Sequence, residues 1–523
     1  MELVKSNICM SRVKAEKNTQ ITLDDDVIVS DSNPDVDEIL AKHTEVTDES
    51  VKILDGKILI KGKLCYKILY EAKGESGLYH MSGSIPFDEV INMDEVKDGD
   101  NISVNSHIED VSISTINSRK INVRAVVSFQ AYCEEMDNKD VIVDVNDADG
   151  ADYIKKPLEV LNLVINKKDV YRIKEEIELD NNKSNVGQII WDNMCIRDLN
   201  FALQNDVLEI TGNMNAFIMY MSEDGSGPIS FFDKTMPFKG YIDVEGATTD
   251  MIPGIDVKMY QGTPEIVKDS DGENRIIRCE AVISVDIKVY EEEQVSVITD
   301  IYSPYVNLVK EEKAGSFYAL LVHNQSATKV SGRRKFDSTD RRMLQICNST
   351  CNVKIDESQI TESGINVTGV ADVNVVYVST RDDMPFGYEN ILVPFEHNIE
   401  APGTATDCVF YIRPKLDELN VTMVSTDEVE AKVSISLDTM VIKPLEVNVI
   451  TSLSEEPYDD MEIRKSPSVV IHFVKEGESI WQIAKQYHTT AQSIMTVNHL
   501  QTENLKKGMS LLLVKQVAHK TSV

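Results

Sequence analysis

Three short segments recur along the chain at near-constant spacing, and they constrain its fold more than anything else in it. GKLCYKILY (Gly62 to Tyr70), GNMNAFIMY (Gly212 to Tyr220) and GVADVNVVY (Gly369 to Tyr377) each place a tyrosine eight residues after a glycine. Alternate positions are Leu64, Tyr66, Ile68 and Tyr70 in the first, Met214, Ala216, Ile218 and Tyr220 in the second, and Ala371, Val373, Val375 and Tyr377 in the third. The positions between them mix Lys63, Lys67, Asn213, Asn215, Asp372 and Asn374 with apolar residues. A period of two with one apolar face predicts a strand facing a core. Further anchors keep step. IPF (Ile85 to Phe87), MPF (Met236 to Phe238) and VPF (Val393 to Phe395) put proline 16, 17 and 17 residues after the tyrosine, and apolar triplets ending at Leu40, Ile190 and Cys347 stand 22 before the glycine. Strand-like VRAVVSF (Val123 to Phe129), CEAVISV (Cys279 to Val285) and AKVSISL (Ala431 to Leu437) close the units. The glycines are 150 and 157 residues apart, too far for a solenoid, so the pattern predicts three successive homologous β-rich domains. QITLD (Gln20 to Asp24) and EIELD (Glu176 to Asp180) suggest an extra opening strand in the first two, with no evident counterpart in the third.

The pattern changes near the end of the chain. Between strand-like IHFV (Ile471 to Val474) and SLLLV (Ser510 to Val514) lie two short helical periods. Ser479 with Gln482 has capping-box spacing, and Ile480, Ile483, Ala484 and Tyr487 form one apolar face. Thr490 can cap a second helix carrying Ala491, Ile494, Met495 and Val497. The reading is a small β-α-α-β module. Val474, Gly477-Glu478-Ser479-Ile480, Ile483-Ala484, Tyr487, Asn498, Leu500, Leu505 and Gly508 together resemble a LysM domain. That resemblance implies a shallow groove for N-acetylglucosamine polymers, with Gly477, Glu478, Ser479 and Ile480 facing Asn498, Leu500 and Leu505. Ile480, Leu500 and Leu505 also read simply as core. His472 stands where the family often has an aromatic residue. Trp481 lies beside the inward stripe rather than in it, which makes it an expected anchor for a protein partner.

Charge narrows the partners. The 523 residues hold 53 Lys and Arg against 87 Asp and Glu, a net charge of −34. From Ser468 onward there are six lysines and three glutamates, so the module is basic and the body before it strongly acidic. An acidic body argues against nucleic acid and against unaided binding to anionic membrane. Apolar content of 42 % is that of a globular chain. The start, MELVKSNICM, has no apolar signal-like core, and no run reaches the length of a membrane span, so cytosolic residence without membrane insertion is expected. Eight cysteines are scattered without a CxxC pair and read as small buried hydrophobes. No phosphate loop, HExxH or GxSxG is present, the histidines lack metal-ligand spacing, and DVNDADG (Asp144 to Gly150) and DSDG (Asp269 to Gly272) miss the calcium-loop register and read as turns. The expectation is a protein that is not an enzyme and needs neither metal nor cofactor.

The strand ending in tyrosine, the Pro-Phe after a hairpin and a late strand such as NSRKINVRAVVSF (Asn117 to Phe129) resemble SPOCS domains of clostridial and bacillar spore-coat proteins. Three such units and one LysM resemble the SipL-type coat morphogenetic proteins. The fold class expected is mostly β: SPOCS-like domains over 1–150, 151–305 and 306–453, a charged, proline-bearing linker over 454–468, and a LysM domain over 469–517. The resemblance implies an assembly adaptor in the mother-cell cytoplasm, at the forespore surface. Its LysM module would dock on the spore coat morphogenetic ATPase, and its SPOCS-like domains would contact other coat proteins. The alternative is a cell-wall or cortex protein that binds peptidoglycan.

Overall fold

The structure is a computed structural model, and it describes residues 1–74, 77–146, 150–224, 229–262, 264–336, 342–381, 385–458 and 467–515. The first repeat forms β1 (Glu2–Ile28), β2 (Val36–Leu54), β3 (Lys57–Ala72), β4 (Leu78–Asn92), β5 (Asn101–Asn117) and β6 (Lys120–Asn146). These make two antiparallel three-stranded sheets, β2-β3-β4 and β1-β6-β5. The inward residues of β3 (Ile58, Ile60, Leu64, Ile68, Tyr70) meet those of β6 (Ile121, Val123, Val127, Phe129) in one core, the expected outcome of facing apolar stripes in a sandwich.

The second repeat forms β7 (Asp152–Glu178), β8 (Val186–Gln204), β9 (Val207–Ser222), β10 (Ser230–Asp243), β11 (Ile252–Gln261), β12 (Glu265–Lys268) and β13 (Asn274–Tyr302). The third forms β14 (Asn307–Lys335), β15 (Met343–Thr361), β16 (Gly364–Ser379), β17 (Phe386–Glu400), β18 (Val409–Ser425) and β19 (Glu428–Glu456). Both repeat the two-sheet plan, each around its own core. The one departure in topology is that β11 and β12 together take the place of the single strands β5 and β18.

The sequence spacing has a direct physical cause. Gly62, Gly212 and Gly369 pair across the sheet with Phe87, Phe238 and Phe395. A Cβ on these glycines would lie 2.6, 2.8 and 2.6 Å from the facing phenyl ring, so the ring occupies the room that the missing side chain leaves. Tyr70, Tyr220 and Tyr377 are buried in equivalent places. The hydroxyls of Tyr70 and Tyr220 donate to the carbonyls of Pro34 and Ser184, at 3.3 and 3.2 Å.

The third repeat does carry an opening strand, contrary to the sequence reading. β14 pairs with β19 as β1 pairs with β6 and β7 with β13. From His323 on it alternates between exposed and half-buried positions, but the half-buried ones include Asn324, Ser326 and Thr328, so it lacks the apolar alternation that marks the other two. β19 also runs to Glu456, into the stretch expected as linker. Of that stretch, 459–466 lies outside the described residues.

The three sandwiches are not separate beads. Lys67 pairs with Asp192 between the first and second at 2.5 Å, and Arg413 with Asp256 between the third and second at 2.7 Å. Lys354 pairs with Glu109 between the third and first at 2.6 Å, closing a ring. Leu69, Met219 and Val376, on the strand faces turned away from each sandwich core, meet in a shared apolar cluster with Trp191 and Phe386. The outer ends of the long strand pairs pack three ways as well, Ile8 and Val141 with Leu158, Val297, Phe317 and Val449. Ile142, Ile298 and Ile450 form a further layer. Two-stranded ribbons are marginal alone, and here each completes its burial on the other two.

Candidate functional site

Beyond the body, β20 (Val469–Phe473) and β21 (Ser510–Val514) pair antiparallel and carry two seven-residue helices, α1 (Ile480–Gln486) and α2 (Ala491–Val497). Helices this short form only with caps and packing, and both are present. Ser479 Oγ accepts from the Gln482 N–H at 3.2 Å while the Gln482 side chain accepts from the Ser479 N–H at 3.0 Å, a full capping box. Thr490 Oγ1 accepts from the Ser493 N–H at 3.1 Å. Ile480, Ile483, Ala484, Ile494, Leu511, Leu513 and Val474 are buried as the module's own core, with Leu500 and Leu505 packed against it.

The expected groove residues divide by role. Gly477 (φ +82°) turns the β20–α1 loop through the left-handed region, and Gly508 (φ +84°) does the same opposite it. Glu478 accepts from the Lys475 N–H at 2.7 Å and lies 2.9 Å from His472 Nε2, and these partners hold its carboxyl below the usual range. His472 is buried, with Nδ1 3.2 Å from the Tyr487 hydroxyl. Asn498 donates to the carbonyls of Ile494 and Leu512, both at 2.8 Å, and accepts from the Leu512 N–H at 2.7 Å. Ile480, Leu500 and Leu505 belong to the core, and the Glu478, Ser479 and Asn498 side chains are engaged in folding the module. Around the expected groove positions, Lys475, Glu476, Gly477 and Ser479 in the β20–α1 loop, and Gln501 to Asn504 with Lys506 to Gly508 before β21, are exposed. Lys507 bridges to Glu476 at 2.7 Å.

Trp481 is partly buried, packed against the module's own core on one side and reaching the body on the other. Its indole Nε1 donates to Asp300 Oδ2 at 2.9 Å, and its ring meets Tyr302 edge-on with centroids 4.7 Å apart. Lys485, one turn on, reaches Asp300 Oδ1 at 2.6 Å, and Lys310 of β14 reaches the same oxygen at 2.7 Å. Although burial opposes it, these three donors hold the Asp300 carboxyl down at about 2. Tyr458 packs edge-on against His488 at 4.5 Å and donates to the Ser303 carbonyl at 2.6 Å. Asp300, Tyr302, Lys485 and Tyr458 were not singled out by sequence, because nothing local to β13 marks its end as a landing place.

Other candidate sites resolve as structure. Asp269 Oδ1 accepts from the N–H groups of Asp271 and Glu273, both at 2.9 Å, making DSDG an Asx-type turn. Of DVNDADG, residues 147–149 lie outside the described residues. Cys347 and Cys351 are free, and burial pushes both thiols up to about 12, away from reactive thiolate. Among the described residues no group of three His, Cys, Asp or Glu side chains is placed to hold a metal ion, and no helix is long and apolar enough to cross a membrane.

Comparison with known families agrees with this geometry. The model described as SipL, SPOCS domain matches residues 35–116, 185–262 and 342–424, and the LysM domain model matches 472–513. No curated protein and no solved structure matches the chain. The SPOCS matches span β2 to β5, β8 to β11 and β15 to β18, leaving the long strands of each sandwich outside them. Both are binding domains rather than catalytic ones, and the SipL name carries a role in sporulation. The chain therefore carries three SipL SPOCS domains and a C-terminal LysM domain.

Proposed function

We propose that this protein is a non-enzymatic assembly adaptor of the spore coat. Its LysM domain docks on the coat morphogenetic ATPase at the forespore surface, and its SPOCS body presents further coat components in a fixed arrangement. The observation that carries the reading is architectural: three SPOCS sandwiches are locked by ion pairs and shared apolar clusters into one body. A basic module with its own core stands at one end of that acidic body. A rigid multi-domain platform with one detachable recognition module suits scaffolding better than catalysis. A second reading, binding of peptidoglycan, is favoured by the exposed loops around the expected LysM groove.

The test is to recover the full-length protein from sporulating cells and, separately, to mix it with purified peptidoglycan and sediment. Recovery of the coat ATPase without pelleting on peptidoglycan is the expected outcome. Pelleting on glycan with no ATPase recovered would replace the adaptor reading with the wall reading.

A further inference from the structure

Among the described residues, the contacts between the α1 face of the LysM domain and the body centre on a small group of side chains. From the module come Trp481, Lys485 and His488; from the rest of the chain come Asp300, Tyr302 and Tyr458. Among the described residues, Tyr302 is the body's one member of the module's apolar cluster. The rest of that cluster, Val474, Ile480, Ile483, Ala484, Ile494, Leu511 and Leu513, comes from the module itself. Separation strands no charge on the body, because Lys310 keeps its 2.7 Å pair with Asp300 whether or not Lys485 and Trp481 are there. A buried ion pair that lost its only partner would make opening prohibitive; a shared carboxylate does not. The chain between Glu456 and Val469 has a contour of about 40 Å, ample for the module to move off.

We propose that this contact is a latch. The α1 face is a receptor for a carboxylate set beside an aromatic ring, occupied in cis by Asp300 and Tyr302. A partner that engages Trp481 must first displace them, offering a carboxylate and a ring of its own. Partner competition rests on the adaptor reading above; the latch itself does not. In the closed state the indole N–H and the Lys485 ammonium are both spent on Asp300. A protein in solution with the latch closed thus hides the residue type most able to anchor an interface.

The experiment uses the full chain and needs no partner. The chain has two tryptophans, and Trp191 is 4 % exposed, so acrylamide quenching of fluorescence follows Trp481. Asp300→Ala removes the acceptor from the body side, and Lys485→Ala removes a donor from the module side without disturbing the body. Loss of charge-assisted hydrogen bonds should raise the open population about tenfold or more. It is read as stronger quenching and faster proteolytic cutting between Ser454 and Ser468 in both variants. A synthetic peptide of residues Val297 to Val306 should restore shielding of Trp481 in Asp300→Ala, and the same peptide carrying Asn in place of Asp300 should not. If both variants melt as the parent does yet show unchanged quenching and cutting, the contact is fixed packing and the latch is wrong. If they open but the peptide fails to shield Trp481, the receptor chemistry assigned to α1 is wrong. Either result leaves the adaptor proposal to its own co-precipitation test.

Discussion

Gly369 shows how one residue type can fix the spacing of a repeat. A Cβ there would stand 2.2 Å from the Lys354 carbonyl oxygen and 2.6 Å from the Phe395 ring, so neither backbone nor ring can yield without moving a strand. Gly369→Ala is expected to lower stability by about 1–3 kcal/mol, seen as a lower denaturation midpoint; an unchanged midpoint would deny the glycine–phenylalanine pairing its role. Arg119 and Arg275 supply a second repeated device. Arg119 donates to the carbonyls of Val29, Ser30 and Asn33, and Arg275 to those of Leu179, Asp180 and Lys183, each guanidinium holding the turn after the first strand. His43 is one residue through which pH acts on the seam between the first two sandwiches, where burial also lowers the pKa of His80 beside the same Asp192 and Lys67. Burial, and then Lys67, lower the His43 pKa to about 4 from an ordinary 6.5, with Asp192 opposing. The native state holds it neutral while the unfolded chain protonates it near 6.5. Its contribution is therefore complete above about pH 6.5, falls away as pH drops toward about 4, and declines no further below that. Melting temperatures from pH 7 to 4 should fall less steeply for His43→Gln than for the parent; parallel curves would remove His43 from the account.

Among elements, the LysM helices depend most on single side chains. Ser479→Ala breaks the capping box and should cost about 1 kcal/mol. Asn498→Ala should do more, because it leaves the Leu512 N–H and carbonyl without the side chain that joins α2 to β21. A loss of about 1–3 kcal/mol is expected, with the Leu512 amide exchanging hydrogen faster while strands of the body exchange as before. An Asn498 variant that loses its ligand therefore reports folding first, unless the module's exchange is unchanged. Similar logic explains β14. Its half-buried positions include the polar Asn324, Ser326 and Thr328, and the ladder with β19 places the strand where apolar alternation does not.

The whole molecule is joined by polar contacts between acidic sandwiches. Lys288 and Glu134 form a pair 2.5 Å apart between the second and first, with side chains 11 % and 7 % exposed. Glu134→Ala leaves an ammonium in that seam without its counter-charge, at a cost of about 3–5 kcal/mol. Replacing both by methionine should recover most of the loss, since an apolar pair avoids the desolvation of either charge. Equilibrium unfolding of the three variants decides it. Should the double variant be as unstable as Glu134→Ala, the pair holds the seam by geometry that methionine cannot supply. In a chain of net charge −34 whose acidic excess lies in the body, self-repulsion is met at these interfaces by lysine and arginine, among them Lys67, Lys258, Lys354 and Arg413.

Short-range pattern was enough for the strands of the β2-β3-β4 type of sheet, the buried tyrosines, the capping box of α1 and the N-cap of α2. Each depends on residues a few positions apart or at a repeated interval, where pleat and helix geometry leave one arrangement. The apolar residues on the far faces of the inner strands, Leu69, Phe217, Met219 and Val376, were a legible but unused sign that both faces are covered. Which surfaces they meet is another matter. The closing of three sandwiches into a ring, the shared packing of the ribbons and the landing of Trp481 on Asp300 join residues far apart in sequence, 245 positions for Lys354 and Glu109 and 181 for Trp481 and Asp300. Such contacts follow from the shapes and charges of finished domains, which no local period in one chain encodes, so only the tertiary structure decides them.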